Sequence, residues 1–305
     1  MTEPLRDRQR FPARALWLLL GVALGWGLNW PIMKFTAQGF PPLSFRGFAI
    51  LGAAVAMFAI LAFLGRDWRV PRGAWGRMWA AALTNITGWN VLAILGVLQL
   101  PSGRAAILGY TMPVWSILLS HFILRERLSL RHGLSLVLGM AAMALLLVSE
   151  LQTLQAAPRG ALLMLAAAFS WALGVVILKR FPVPMQVAPL TAWMFVLGCL
   201  PIIAVALVVE ADALRMPATA VALGIVYNVF IALLFCYWGW NKLVHMVPVS
   251  VSSLSSLLAP VIGVFSGMVI LGEQPRWQEF VALGLVLGAL ALIHFGGVLH
   301  RVLRR

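Results

Sequence analysis

Ten apolar stretches of similar length follow one another along this chain. They run at about residues 15–35, 43–64, 78–98, 103–124, 132–149, 160–178, 190–208, 219–241, 249–271 and 278–296. A helix of about 20 apolar residues spans the hydrocarbon core of a bilayer. The intervals between the stretches are short and leave no room for a separate soluble domain. The pattern therefore predicts an all-α integral membrane protein with ten transmembrane helices.

The second half of the sequence repeats landmarks of the first half at a nearly constant offset. Three residues recur 147 positions later: Pro101, Pro113 and Glu126 correspond to Pro248, Pro260 and Glu273. Lys34 and Lys179 correspond at an offset of 145. A unit of this length, with five apolar stretches, is too long for a solenoid repeat. We expect two five-helix repeats, 15–149 and 160–296, with a linker at 150–159 and cytoplasmic tails at 1–14 and 297–305.

Composition supports a membrane protein and argues against a cofactor. The chain has 62% hydrophobic and 10% charged residues and a mean hydropathy of +0.95, whereas a soluble domain carries about 25% charged residues. Both cysteines, Cys199 and Cys236, lie within predicted spans and give no redox or metal-ligand signal. We therefore expect no cofactor and no metal.

The basic residues fix the expected orientation. If the N-terminus is cytoplasmic, 17 of the 23 Lys and Arg residues fall on the inner side, as the positive-inside rule requires. Six are assigned to the outer side: Lys34, Arg46, Arg104, Arg159, Arg215 and Arg276. This distribution explains the net charge of +14 without nucleic acid as a partner. We expect a bacterial-type inner membrane protein, a monomer or a weak homodimer, with both termini cytoplasmic.

Five helices per repeat mean that the second repeat enters the membrane from the opposite side. Inverted repeats are typical of secondary transporters, in which two similar halves expose one central site to each side in turn. A duplication kept only for stability is the alternative. The chain contains no HExxH, no GxSxG and no intramembrane aspartate pair. We therefore predict a transporter and not an enzyme, with a membrane scaffold or receptor as the non-transport alternative.

Five prolines are candidate hinges or gates: Pro31, Pro101, Pro113, Pro248 and Pro260. A proline within a helix leaves the carbonyl four residues earlier without its helical donor, and protein, water or substrate must then supply one. Pro101 and Pro248 begin the fourth and ninth helices at opposite surfaces, so their turns are candidate opposed gates. Passive kinks that shape packing are the alternative.

Polar and aromatic side chains at span depth are candidates for a central substrate-binding cavity. They are Trp26, Asn29, Asn85, Trp89, Tyr110, Trp171, Tyr227 and Asn241. Intramembrane amides also act as simple interhelical hydrogen bonds, which is the alternative interpretation of each Asn. The second repeat carries Gly174 and Val176 where the first has Asn29 and Pro31, so the two halves are not expected to bind substrate symmetrically.

The nine acidic residues all fall in tails, loops or span ends. Ion-coupled carriers commonly place an ionisable group on the pathway, so we favour facilitated or exporter-like transport of a neutral or zwitterionic small molecule. Lys34 and Lys179 are expected to end helices 1 and 6 and to complement the helix dipole. Glu126 and Glu273 are expected to cap the helices that follow them.

Three features together resemble the drug/metabolite transporter superfamily, in particular its ten-helix EamA-type carriers. They are WGLNWPIMK with its degenerate partner SWALGVVILK, the proline-bearing fourth and ninth helices, and the closing LRERLS and LGEQP. The likeness covers nearly the whole chain and is greatest to the YddG-type amino-acid exporters. It implies export of amino acids, including aromatic or bulky neutral ones, through a central cavity with helices 5 and 10 peripheral. A carrier of another metabolite, a drug or a sugar conjugate is the alternative within the superfamily.

Overall fold

The computed structural model describes residues 13–126, 128–152, 158–246 and 254–302, and these residues form helices and short connections without a β-strand. Eight of the helices have simple bounds: α1 Ala13–Gly39, α2 Pro42–Phe63, α4 Ser102–Leu124, α5 Leu130–Gln152, α6 Arg159–Arg180, α7 Val187–Val209, α9 Leu254–Leu271 and α10 Trp277–Val302. The third and eighth helices contain internal changes of geometry. Helix α3 comprises Trp75–Ala82, Leu83–Gly88 and Trp89–Val97, and α8 comprises Thr219–Tyr227, Asn228–Phe235 and Cys236–Met246.

Length and hydropathy identify these helices as membrane spans. Among the described residues, seven helices are long and apolar enough to cross a bilayer, namely α1 to α4 and α6 to α8. Helices α5, α9 and α10 contain the shorter apolar segments His132–Val148, Leu258–Leu271 and Trp277–Leu292. The prediction of an all-α membrane protein with ten helices is confirmed.

The middle segments of α3 and α8 are π-helical, a geometry that the sequence did not predict. A π-helical turn shifts the backbone register by one residue and exposes polar backbone groups to side chains of other helices. One such carbonyl, in α8, accepts a hydrogen bond from α1, and a side chain of the π-helical segment of α3 donates to α7. Trp26 Nε1 on α1 donates to the carbonyl of Ala232 in α8 at 3.1 Å, and Thr87 Oγ1 in α3 donates to the carbonyl of Gly198 on α7 at 2.8 Å.

The candidate hinge prolines affect three helices differently. Helix α4 is divided into Ser102–Gly109 and Met112–Leu124 just before Pro113, because proline has no N–H for the carbonyl of Gly109. Helices α1 and α9 continue through Pro31 and Pro260. Pro101 lies immediately before α4, whereas Pro248 lies outside the described residues.

The helix contacts follow a regular plan. Helix α2 packs on α7, α5 on α10, and α4 on α9; α1 contacts α8 and α9, and α6 contacts α3 and α4. If α1 is exchanged with α6, α2 with α7, and so on through α5 with α10, these same pairs of helices are again in contact. Helices α5 and α10 make their most extensive contact with each other. The polar and aromatic candidates therefore lie among α1, α3, α4, α6 and α8.

Candidate functional site

Four aromatic side chains from four helices meet in the bundle. The ring centroids are 5.4 Å apart for Trp89 and Trp171, 6.4 Å for Trp30 and Trp89, and 6.4 Å for Trp30 and Tyr110. Edge-to-face and tilted contacts at these distances are attractive and offer a surface for another aromatic or apolar group. The predicted residues Trp89, Tyr110 and Trp171 thus form one group with Trp30, which was not among the candidates. We call these four residues the aromatic cluster.

The Trp30 ring packs closely against two glycine residues on neighbouring helices. A Cβ atom added to Gly109 on α4 would lie 2.7 Å from Trp30 Cη2, and one added to Gly263 on α9 would lie 3.2 Å from Trp30 Cδ1. Both positions need glycine because a larger side chain would displace the indole. The Trp30 ring therefore fills the space beside the break in α4.

Trp26 and Tyr227 connect α1 to α8. Trp26 packs against Tyr237 and Trp240, with ring centroids 6.0 and 5.9 Å away. The hydroxyl of Tyr227 donates to the carbonyl of Gly25 at 2.7 Å. These two predicted residues form a second group in which both polar atoms already have backbone partners.

The predicted amides differ in their hydrogen bonding. Asn85 Nδ2 donates to the carbonyl of Trp171 at 3.2 Å and so connects α3 to α6. Asn29 Oδ1 is buried, and none of the described residues donates a hydrogen bond to it. A buried acceptor without a donor is costly and uncommon in folded proteins, so Asn29 is the predicted amide with capacity for a ligand. The side chain of Asn241 lies outside the described part of the chain.

Lys34 on α1 and Glu273, which follows α9, form an ion pair. Lys34 Nζ lies 2.9 Å from Glu273 Oε1 and donates to the carbonyl of Leu100 at 2.7 Å. The Glu273 carboxylate also accepts the Ser102 N–H at 2.7 and 2.8 Å and the Ser102 hydroxyl at 2.8 Å. The side chains of Lys34 and Glu273 are 15% and 12% exposed. The contact therefore joins the ends of α1 and α9 to the start of α4.

Two sequence-based expectations are wrong at this contact. Helix α1 continues to Gly39, so Lys34 does not end it. Glu273 accepts from the first residue of α4 rather than from α10, and Glu279 accepts the Arg276 N–H at the start of α10. Sequence order suggested the following helix, but the chain folds the start of α4 against the end of α9, where Ser102 offers an unpaired helix N-terminal N–H.

The environment of Glu273 favours its ionised form. Burial opposes ionisation, but hydrogen bonds from the Ser102 N–H, from Lys34 and from the Ser102 hydroxyl, together with the charge of Lys34, lower the pKa of Glu273 below its ordinary value. The carboxylate therefore stays charged at neutral pH.

A buried ion pair adjoins this contact. Arg104 Nη2 lies 2.5 Å from Glu279 Oε1, and the two side chains are 7% and 4% exposed. Arg104 lies in the first turn of α4 and Glu279 in the first turn of α10. The start of α4 is therefore bonded to α1, to the end of α9 and to α10 at the same end of the bundle.

Lys179 and Glu126 form the equivalent pair at the opposite end. Lys179 Nζ lies 2.5 Å from Glu126 Oε1, with side chains that are 58% and 47% exposed. Ser102 begins α4 and Glu126 follows its end, so the two pairs are separated by the 23 residues of α4, about 34 Å of helix. The residues correspond at offsets of 145 and 147. Two equivalent contacts thus occupy unequal environments.

Arg46 lies in the bundle and not at the outer surface, where we expected it. It is 4% exposed, and its guanidinium donates to Asn90 on α3 and Asn228 on α8. Because α2 begins at Pro42, Arg46 is more than one helical turn inside the span. Arg46 lies near the edge of an apolar stretch, so the sequence pattern did not indicate that its side chain is buried.

Known proteins resemble the chain over most of its length. The EamA-like transporter family matches residues 13–148 and again residues 158–295. A Salmonella typhimurium protein named "Probable amino-acid metabolite efflux pump" is 27% identical over 94% of this chain and 97% of its own. "Uncharacterized transporter YoaV" of Bacillus subtilis is 25% identical over 90% and 92%. A solved crystal structure shares the fold, with a TM-score of 0.67 and 20% identity over 96% of this chain and 99% of its own.

The two family matches together cover more than half of the chain. They also agree with the apolar helices and with the transporter names of the relatives. The protein is a multi-pass membrane transporter and not an enzyme. The chain belongs to the EamA-like transporter family of the drug/metabolite transporter superfamily.

Proposed function

We propose that this transporter exports small neutral or zwitterionic solutes, amino acids above all, by alternating access between two inverted five-helix repeats. The relatives named "Probable amino-acid metabolite efflux pump" in Salmonella typhimurium and Escherichia coli support amino acids or their metabolites as the substrate class. The aromatic cluster would contact the side chain of an aromatic or bulky neutral amino acid. The unpaired Asn29 Oδ1 would accept a hydrogen bond from its ammonium group.

One observation carries the alternating-access proposal: equivalent ion pairs lie at the two ends of α4 with unequal exposure. The Lys34–Glu273 pair is mostly buried, and its carboxylate also bonds to Ser102. The Lys179–Glu126 pair is about half exposed, and such a pair contributes roughly 0–1 kcal/mol. In our proposal, this difference in exposure marks the Lys34 end as the closed end and the Lys179 end as the open end. In the opposite conformation, the exposures of the two pairs exchange.

The helix contacts and the family match support two related halves. The contact plan is unchanged when each helix is exchanged for the one five places away, and the family matches the chain twice. We assign the halves to 15–149 and 160–296 and place both termini in the cytoplasm of a bacterial-type inner membrane. With that orientation, the open Lys179 end faces the cytoplasm, where an exporter loads its substrate.

The break in α4 provides a hinge between the closed end and the aromatic cluster. Tyr110 occupies the break and contacts Trp30. In our proposal the segment Ser102–Gly109 moves with the Lys34–Glu273 contact while Met112–Leu124 remains packed on α6. Pro31 and Pro260 permit smaller bends in α1 and α9, and Pro101 marks the turn at the Lys34 mouth.

Counterflow in proteoliposomes tests the function. Purified protein is reconstituted with an unlabelled amino acid inside, and uptake of the radiolabelled amino acid is followed with neutral, aromatic, basic and acidic competitors. We expect saturable exchange of neutral amino acids that is unaffected by collapse of a pH gradient. Absence of exchange for every amino acid would overturn the substrate class, and the same assay would then be applied to other metabolites, drugs and sugar conjugates.

A further inference from the structure

The guanidinium of Arg46 has an unusual environment for a buried charge. Its Nε donates to Asn90 Oδ1 at 3.1 Å, its Nη1 donates to Asn228 Oδ1 at 2.8 Å, and its Nη2 also donates to Asn90 Oδ1. Each amide uses its own NH₂ group on backbone, Asn90 on the carbonyl of Ile86 and Asn228 on that of Gly224. Both amides are therefore oriented with their oxygens toward the arginine.

No carboxylate in the described part of the chain contacts Arg46. The ion pairs of those residues use Glu126, Glu273 and Glu279 with other cations. Glu210 reaches the start of the same helix, but its oxygens accept from the N–H groups of Leu43 and Ser44 and from the Ser44 hydroxyl. Neutral amides solvate a buried cation only partly, and an unpaired charge in a membrane interior is costly. The Arg46 site therefore has a high intrinsic affinity for an anion.

The donor geometry favours a carboxylate. A guanidinium has five N–H groups in a planar fork that matches the two oxygens of a carboxylate. The contacts to Asn90 and Asn228 use three of these groups, and the described residues supply no acceptor for the other two. A substrate carboxylate would form charge-assisted bonds, which are roughly twice as strong as the neutral bonds it would replace.

Through Asn90 and Asn228, Arg46 contacts α3 and α8, two of the helices that carry candidate site residues. Asn90 follows Trp89 of the aromatic cluster directly in sequence, and Asn228 follows Tyr227, whose hydroxyl bonds to α1. The two amides adjoin the π-helical segments of α3 and α8. Replacing an amide oxygen by a substrate oxygen would release α3 or α8 from α2. Displacement of the Asn228 oxygen would change a contact between the repeats, and displacement of the Asn90 oxygen would change one within the first repeat.

We propose that Arg46 binds the carboxylate of the transported solute, in exchange for the oxygens of Asn90 and Asn228. This inference rests on the proposed transport function and narrows its substrate class to molecules with a carboxylate. It assigns the carboxylate of that solute to Arg46. Arg46 is then a specificity-determining residue of the transporter.

The test compares three ligands that differ in one group. Phenylalanine carries both charges, phenethylamine lacks the carboxylate, and 3-phenylpropionate lacks the amine. Each is measured by tryptophan fluorescence titration of purified wild-type protein and by competition in counterflow. We expect phenylalanine and 3-phenylpropionate to bind at least roughly tenfold more tightly than phenethylamine, the range for a charged hydrogen bond.

Two variants address Arg46 directly. Arg46→Gln removes the cation and should reduce the preference for phenylalanine over phenethylamine to about twofold or less. Asn90→Asp places a carboxylate against Arg46 without a change of shape, so it should weaken the binding of both carboxylate ligands and leave phenethylamine unchanged. Ser135→Ala, at the contact of α5 with α10, serves as the control and should retain the wild-type preference.

Failure of this inference differs from failure of the proposed function. If Arg46→Gln or Asn90→Asp keeps the wild-type preference, the Arg46 assignment is wrong although amino-acid exchange stands. If the wild type exchanges only solutes without a carboxylate, the assignment is wrong and the carrier function stands. If Arg46→Gln does not fold, the wild-type ligand series and Asn90→Asp decide the question.

Discussion

Lys34 Nζ and Glu273 Oε1 lie 2.9 Å apart, in a contact that connects α1 to the end of α9. Its counterpart, Lys179 with Glu126, lies at the far end of α4 and is much more exposed. The two pairs correspond in the sequence, yet the Lys34–Glu273 pair is mostly buried and the Lys179–Glu126 pair is about half exposed. We interpret this inequality as the closed and the open mouth of an alternating-access transporter.

Removing one charge from each pair should have unequal effects on stability. Glu273→Gln leaves Lys34 without its carboxylate and weakens the bonds from Ser102, so we expect a loss of about 2 kcal/mol. Glu126→Gln acts on an exposed pair and should cost less than about 1 kcal/mol. Thermal unfolding of the two variants in the same detergent measures the difference. Equal destabilisation would contradict the assignment of closed and open ends.

The lowered pKa of Glu273 predicts the pH range over which this contact holds. A carboxylate whose pKa is depressed by folding stabilises the protein above its unfolded pKa, about 4.3 for Glu. That contribution is lost as the pH falls through the lower pKa of the folded state. The stability difference between wild type and Glu273→Gln should therefore be constant from about pH 6 to 8 and shrink below about pH 4. A difference that disappears between pH 6 and 7 would show that Glu273 is not held ionised.

Gly109 should control the position of Trp30. A methyl group there would lie 2.7 Å from Trp30 Cη2, so Gly109→Ala must displace the indole and disturb the aromatic cluster. We expect the KM for an aromatic amino acid to rise roughly tenfold, a cost of about 1.4 kcal/mol. Gly133→Ala on α5 is the matched control, because nothing lies within 4 Å of the added methyl group. An unchanged KM in Gly109→Ala would exclude Trp30 from the binding site.

Asn29 should show a conflict between stability and transport. Its Oδ1 is buried without a donor, so Asn29→Leu removes an unsatisfied polar atom and should stabilise the protein by about 1 kcal/mol. Transport should fall because the acceptor for the substrate ammonium is lost. Thermal unfolding and counterflow are measured on the same preparation. A variant that is stabilised and still transports at the wild-type rate would assign Asn29 no part in binding.

The fold was predictable because the bilayer imposes helix length and hydropathy on the sequence. Pro113 likewise indicated the break in α4, since loss of a backbone donor is a local effect. The π-helical segments of α3 and α8 had no such local signal. They depend on contacts with neighbouring helices, such as the bond of Thr87 to Gly198.

The candidate site was predicted only in part, because its key partners are distant in sequence. Trp89 and Trp171 were chosen for their depth and Tyr110 for its position beside Pro113, and Trp30 joins them through close approach to Gly109 and Gly263. Lys34 and Glu273 were recognised as repeated residues, but their pairing spans 239 positions. Arg46 looked like a surface cation because burial depends on amides contributed by two other helices.

Alternating access itself is tested most directly by distances across the two mouths. Spin labels are placed at the exposed positions Gln38 and Gln274 at the Lys34 end, and at Leu128 and Arg180 at the Lys179 end. Cys199 and Cys236 are first replaced by alanine, and pulsed electron resonance is recorded in nanodiscs with and without saturating phenylalanine. The account predicts opposite changes, a longer Gln38–Gln274 distance with a shorter Leu128–Arg180 distance. Changes in the same direction, or a rigid molecule that still exchanges substrate, would contradict it.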